Sequence, residues 1–358
     1  MTSPTDIAEL EPAELEVAIG ELGAQPFHAH QIYRWIHRRG IADFARMTDL
    51  SLGLRQQLED RFVVGTPTVE KRQRSTDGTE KFLLRLNDGQ MVESVFIPDT
   101  PRQAFCVSTQ VGCAMRCGFC LTGKMNLARN LTAGEIVGQV SRLAHTFKLA
   151  DTGFNVVLMG MGEPLHNYDA TMKALRILTA DSGFAMAPRR ITLSTVGVPA
   201  GLAKLANETV MPNLAVSLHA ATEELREQLV PVNRAYGLAD VVAACRAFPL
   251  ARRRRITFEY VMLAGVNDSV GEAERLAALL RGISSKINLI PLNEAPGIPF
   301  RRPSDTRVDR FARTLTNQGA MVSVRKSRGR DIRAACGQLI VEGQAASPAQ
   351  VLAARMSG

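Results

Sequence analysis

The chain has no apolar run long enough to cross a bilayer. Its opening residues carry Asp6, Glu9, Glu11, Glu14 and Glu16 where a secretory signal would be basic. The expectation is a cytoplasmic protein with no membrane partner. Cysteine is sparse, six in 358 residues, which argues against a disulfide scaffold and suits a reducing compartment. Aromatics make up only 5%, too few for a base-stacking sheet, so any RNA partner would be recognised by shape and phosphates. Acidic charge is also short, 35 Asp and Glu against 43 Lys and Arg for a net +8. That excess favours a polyanionic partner, most simply nucleic acid, with a solvated basic surface as the alternative. What remains is a globular composition, 46% hydrophobic, on a length that suits one large domain with a smaller attachment.

Half of the few cysteines fall in one loop, as Cys113-x3-Cys117-x2-Cys120. A structural zinc site takes four protein ligands, and an ordinary iron-sulfur cluster takes four cysteines. Three thiolates can hold three irons of a 4Fe-4S cluster and leave the last iron open to substrate. Here the loop resembles the radical S-adenosylmethionine (SAM) superfamily. Incidental cysteines or a three-thiolate zinc site are the alternatives.

Residues 1–62 read as a helical accessory domain. Ile32, Trp35 and Ile36 recur at helical spacing, Gly40 breaks the run, and Asp49 or Ser51 is placed to cap a further helix. His37, Arg38 and Arg39 offer phosphate contacts or a solvated face, and His28, His30 and His37 are expected at the surface. Residues 63–100 read as a β-hairpin extension, in which the period changes to two from about 68 to 98. The turn Asn87-Asp88-Gly89 joins strands 81–86 and 91–97 as a β-hairpin extension. Glu93 shares a face with Met91, Val95 and Ile97, so burial would raise its pKa and make it a usable base. A partly exposed edge glutamate is the alternative.

From 101 to 345 strand and helix patterns alternate. Strands are expected at 104–109, 155–159, 190–195, 213–218, 256–262 and 286–290, with a seventh at 321–325, and Thr132-Ala133-Gly134-Glu135 matches a capping box. Six βα units predict an α/β fold with a parallel sheet curled into a barrel, complete or incomplete, whose chemistry gathers at the strand carboxyl ends. Gly162, Glu163, Ser194, Ser217, His219 and Asn293 stand at such ends. The basic runs 252–255, 301–302 and 325–330 offer phosphate contacts, the last favoured because it leads into Cys336. The tail, 346–358, carries no motif.

Taken together, Val92-Glu93-Ser94-Val95, Cys106-Val107-Ser108-Thr109-Gln110-Val111-Gly112-Cys113, Arg129-Asn130-Leu131-Thr132, Met159-Gly160-Met161-Gly162-Glu163-Pro164-Leu165, Ser217-Leu218-His219 and 331–339 (DIRAACGQL) resemble the RlmN/Cfr family of radical SAM RNA methyltransferases. Leu121 departs from the alanine expected there, which changes packing and no ligand. The resemblance implies an incomplete (β/α)6 radical SAM barrel. It also implies a 4Fe-4S cluster on Cys113, Cys117 and Cys120, and SAM against Gly162, Glu163, Ser194, Ser217, Leu218, His219 and Asn293. Its implied substrates are 23S rRNA and tRNA, methylated at C2 of a specific adenine in the former and of the adenine 3′ of the anticodon in the latter.

In the implied reaction Cys336 takes a methyl group from one SAM, and a second SAM, cleaved reductively, supplies a radical that activates it. Glu93 removes the C2 proton. Cys106 attacks the Cys336 sulfur, so that a disulfide forms as the product leaves. A low-potential donor of flavodoxin or ferredoxin type and a monomeric state complete the expectation. Cys245 is read as core. A C8-directed enzyme of the Cfr type, or a non-enzymatic RNA-binding assembly factor with a structural cluster, are the alternatives.

Overall fold

The computed structural model describes residues 4–98 and 103–341; the expected junctions near 100 and 345 and the 346–358 tail lie outside them. The amino-terminal unit packs α1 (Pro12–Gly20), α2 (Pro26–Tyr33) and α3 (Leu52–Arg61) between the short strands β1 (Thr5–Asp6) and β2 (Phe62–Val63), which pair in parallel. Ser51 caps α3 by accepting from the Leu54 N–H at 3.2 Å. A π-helical turn at 34–38 continues α2 until Gly40, at φ +66°, ends it.

That turn corrects one expectation. His37 is buried rather than at the surface, packed 4.3 Å from the Tyr33 ring. The π-helical turn brings its ring inward, and burial, then His145, pushes its pKa down to about 3. Neighbouring Arg38 pairs with Asp151 at 2.9 Å and Arg39 stacks on Trp35, so neither cation is unengaged. His28 is half-buried and His30 exposed.

The predicted hairpin is a three-stranded meander of β3 (Thr68–Arg74), β4 (Glu80–Arg85) and β5 (Met91–Ile97). Its outer strand β3 carries Glu70, Lys71, Arg72 and Arg74, charges that blunt a sheet edge against further pairing. β5 then pairs antiparallel with β6 (Ala104–Cys106), so the meander is continuous with the main sheet. After β6 a small pair, β7 (Gln110–Val111) with β8 (Arg129–Asn130), brackets the cysteine loop.

Next come α4 (Ala133–Thr146), β9 (Asn155–Leu158), α5 (Tyr168–Thr179), β10 (Ile191–Thr195), α6 (Pro199–Leu205) and β11 (Asn213–Ser217). The chain continues through α7 (Glu223–Leu229), α8 (Leu238–Ala247), β12 (Ile256–Met262), α9 (Val270–Leu279), β13 (Ser285–Pro291), α10 (Asp305–Asn317) and β14 (Val322–Val324). The Thr132–Glu135 capping box opens α4 as the sequence predicts.

The ten strands run β14-β13-β12-β11-β10-β9-β6-β5-β4-β3, parallel from β14 to β6. Among the described residues β14 does not bond to β6, so the barrel is incomplete. The segment after β14 fills the gap by docking on the meander. Asp331 accepts from Ser75 Oγ at 2.5 Å and Thr76 N–H at 3.1 Å, and Asp77 accepts from Gly329 N–H at 2.9 Å. The side of the barrel left open by the sheet is therefore closed by the stretch that carries Cys336.

Candidate active site

The cysteine loop is fixed by hydrogen bonds to two other segments, the end of α7 and the 337–339 stretch. Gly118 N–H donates to Leu229 O at 3.0 Å, Leu121 N–H to Gly337 O at 2.7 Å, and Thr122 Oγ1 to Leu339 O at 2.6 Å. A Cβ on Gly123 would stand 2.9 Å from both N and O of Cys117, so the loop closes on itself only with glycine there. Burial raises all three thiols, Cys113 up to about 12 and Cys117 well above its ordinary value, so a cation that takes them as thiolates must displace their protons. Among the described residues no three His, Cys, Asp or Glu side chains are grouped to hold one metal ion. A 4Fe-4S cubane asks something different, because each thiolate takes its own iron, and the all-sulfur donor set suits it.

Directly beneath this loop lies a cavity of about 150 Å³ lined by Cys113, Cys117, Cys120, Gly162, Glu163, Ser194, Ser217, His219, Asn293 and Cys336. The sequence-predicted residues from five strand ends therefore meet. Leu218 is the exception: it does not line the cavity, and its N–H donates to Glu259 O at 3.0 Å. Gly162 sits at φ +105° and a Cβ there would fall 2.8 Å from Gln110 N, so no side chain fits.

Glu163 accepts from Leu165 N–H at 2.9 Å and Val196 N–H at 2.8 Å, and burial pushes its carboxyl up to about 7. His219 Nδ1 accepts from Val261 N–H at 3.1 Å, which leaves the proton on Nε2. Burial brings His219 down to about 3, so its ring is neutral. Asn293 Nδ2 donates to Cys336 O at 3.2 Å while its buried Oδ1 has no partner among the described residues. An orphaned acceptor in a polar cavity fits a ligand with a donor to offer, and SAM carries one in its ammonium group.

A second cavity of about 530 Å³ continues from the first, sharing Met159, Ile290, Asn293, Arg325 and Cys336. Cys106 lines this one. Burial first, then the charge of Cys336, pushes the Cys106 thiol up to about 12, with Arg325 opposing. The Arg325 guanidinium lies among Cys336, Cys106 and Glu259, and the Cys336 sulfur is the largest influence holding it protonated. Arg325 thus points into the site rather than outward with the basic run it begins.

Glu93 is buried as predicted, but it faces a different cavity, shared with Lys81, Asp331 and Ile340. Its carboxylate pairs with Lys81 at 2.9 Å and accepts from Ile340 N–H at 2.8 Å. Its burial is therefore that of a compensated carboxylate, not the isolated one the strand pattern implied. Cys245 is buried on α8, in keeping with a core role.

Sequence reasoning missed Lys81, Arg226, Glu259 and the inward turn of Arg325. Arg226 is fully buried on α7 and donates to Val196 O at 2.6 Å, Asn233 Oδ1 at 2.6 Å and Tyr236 O at 3.1 Å. It thereby grips the carbonyl of the residue whose N–H Glu163 holds. A charged residue alternating with apolar ones, Lys81 ahead of Phe82 or Glu259 within Phe258-Glu259-Tyr260, was the one available signal.

An incomplete parallel barrel with three cysteines over a polar cavity defines a radical SAM enzyme. Residues 107–277 match the Radical SAM superfamily model, and residues 5–64 match that of the Ribosomal RNA large subunit methyltransferase N-terminal domain. The chain is 47% identical to the dual-specificity RNA methyltransferase RlmN of Anaeromyxobacter dehalogenans, over 99% of this chain and 96% of that protein. It is 49% identical to the protein of that name from Geobacter sulfurreducens, over 95% and 93%. A crystal structure of a radical SAM methyltransferase from Sphaerobacter thermophilus superposes with a TM-score of 0.89 at 46% identity, covering 94% of this chain and 99% of that one. The chain belongs to the RlmN family.

Proposed function

We propose that the protein is a dual-specificity RNA methyltransferase that places a methyl group on C2 of a specific adenine in 23S rRNA and of the adenine 3′ of the anticodon in tRNA. The near-full-length identity to proteins of that name supports the substrate class. The observation that carries the chemistry is that Cys336 lines both cavities, against the cysteine loop on one side and Cys106 on the other.

Cys113, Cys117 and Cys120 would hold the 4Fe-4S cluster, which when bound supplies the electron for reductive cleavage of SAM. Gly162, Glu163, Ser194, Ser217, His219 and Asn293 would orient SAM, with the Asn293 Oδ1 acceptor and the Glu163 carboxylate toward its ammonium. Cys336 accepts a methyl group from one SAM: its thiolate forms the S–C bond as the sulfonium releases the methyl. The Cys336 methyl carbon, one hydrogen atom lost to the radical that SAM cleavage would supply, bonds to C2, and as the adduct gives up one electron, which the cluster would take back, Glu93 takes the C2 proton. Its carboxylate touches the Cys336 segment at Ile340, so proton removal requires the bound base to bring that segment and Glu93 to one place. Cys106 then attacks the Cys336 sulfur, the S–C bond breaks, the released methylene carbon takes a proton to become the C2 methyl, and an external dithiol reduces the resulting disulfide.

The same proposal includes a flavodoxin- or ferredoxin-type donor, a monomeric state and a cytoplasmic setting. No helix among the described residues is long and apolar enough to cross a membrane. The test is anaerobic reconstitution with SAM, reductant and unmodified RNA, followed by nucleoside mass spectrometry. 2-Methyladenosine is expected. 8-Methyladenosine, or neither product while SAM is cleaved, would overturn the assignment.

A further inference from the structure

The cysteine loop is tied down at the top of the barrel. Gly118, Leu121 and Thr122 bond Leu229, Gly337 and Leu339 across the carboxyl ends of the strands. Cys336 lies beside these contacts, and the 530 Å³ cavity that it lines offers a nucleobase a way in from the other end, since it extends down the bore to the first residues of the strands. Cys106, Val157, Thr192 and Asn213 line it and sit at one level of the sheet register. Ala104 and Asn155 lie below them. Its volume lies within the range of pockets that enclose small organic ligands.

The rim at that end is cationic. Arg189 and Arg190 precede β10 and line the cavity there, whereas Lys326, which also lines it, follows the carboxyl end of β14. Asn213 Nδ2 donates to Arg189 O at 2.7 Å, which ties the turn to the foot of β11. The Arg190 guanidinium lies against Gly153, where a Cβ would stand 2.1 Å from Nη1, so only glycine lets it lie there. Exposed Arg252, Arg253 and Arg255 precede β12 on the same end of the sheet. Among the described residues no carboxylate pairs with Arg189 or Arg190. Cations left without counter-charges around a cavity mouth suit a phosphodiester backbone.

Resting on the RNA-methyltransferase assignment above, we infer that the RNA enters from the amino-terminal ends of the barrel strands. The target adenine, extruded from its stack, occupies the 530 Å³ cavity, and Arg189 and Arg190 hold the phosphates that flank it.

The test uses the cluster-loaded enzyme. Arg189→Ala and, separately, Arg190→Ala are compared with wild type and with Arg234→Ala, whose guanidinium pairs with Glu227 away from the cavity. RNA affinity is measured across a salt series. Removing one phosphate-binding cation is expected to flatten the slope of log K against log salt by about 1. KM for RNA is expected to rise roughly tenfold or more with kcat within about twofold. Arg234→Ala keeps the wild-type slope. Wild-type slope and KM in both cavity-rim variants, or a fall in kcat alone, would overturn the inference. Iron content and melting temperature show whether each variant is folded; if one is not, the other decides by the same criteria. A wild-type enzyme that methylates no RNA fails the assignment itself, whereas active wild type with unaltered rim variants fails only the entry route.

Discussion

Lys81 Nζ stands 2.9 Å from Glu93 Oε1 across the antiparallel β4–β5 pair, and together the two residues hold both flanks of Cys336. Lys81 donates to Arg333 O at 3.3 Å, three residues before the cysteine, and Glu93 accepts from Ile340 N–H, four residues after it. Both side chains are less than one-tenth exposed, so neither charge is stable there without the other. Lys81→Met is expected to destabilise the protein by about 3–5 kcal/mol, since it strands a buried carboxylate. Lys81→Met/Glu93→Met should recover most of that loss in a thermal melt while methylation stays lost. A double variant no more stable than Lys81→Met would show that the pair is not the clamp. Glu93→Gln, which keeps the volume, is expected to lower kcat by roughly 10²–10⁴, the usual contribution of a positioned base.

The cysteines separate by role. Cys106→Ala should leave methyl transfer to Cys336 intact and block release, so that a covalent protein–RNA adduct accumulates and is visible as a retarded band on a denaturing gel. Cys336→Ala should give no adduct and no product. Cys245→Ala, in the core on α8, should retain activity within about twofold and cost about 1 kcal/mol or less. Normal turnover by Cys106→Ala would remove the disulfide step.

The parallel strands were legible because each is a short β-rich run bounded by turn residues, and 256–262 is found to the residue. The strand-end polar residues were legible for the same reason, since the end of a parallel strand fixes which mouth a side chain serves. β3 was not resolved as a strand. Its side chains are exposed or half-buried along its length, so no apolar alternation marks it. Arg325 was hidden in a basic run: only its position just after β14, with its N–H bonded to Leu289 O at 2.8 Å, turns it inward while its neighbours stay at the rim. Lys81 was hidden because its partner lies on the next strand and its second contact is 252 residues away. His37 was misjudged because the π-helical turn shifts the phase of the helix by a residue, which moves a polar position into the core.

His37 also predicts acid sensitivity. Its folded pKa is about 3 against 6.5 for the free side chain, so between those values the unfolded chain binds the extra proton. Stability from its burial is therefore full above pH 6.5 and is lost as pH falls toward 3. From pH 7 to pH 5 wild type should lose about 2 kcal/mol on this account, read from chemical denaturation under anaerobic conditions. His37→Phe, which keeps a ring against Tyr33 and Phe184, should lose correspondingly less. Parallel pH profiles for the two proteins would refute the burial of a neutral imidazole as the cause.

Arg226 links the SAM cavity to the cysteine loop. Its guanidinium bonds the Val196 carbonyl, Glu163 holds the Val196 N–H, and the carboxyl end of α7 offers Leu229 O to Gly118 N–H in the loop. Arg226→Met would leave Val196 O and Asn233 Oδ1 without this donor inside the protein, at a cost of about 3 kcal/mol or more. Loosening α7 should also loosen the loop, so iron per protein after reconstitution is expected to fall together with the melting temperature. Arg226→Lys, a single ammonium in place of a planar fork, should restore one of the three contacts and lie between the two. Full iron content with a lowered melting temperature would confine Arg226 to stability and uncouple it from the cluster loop.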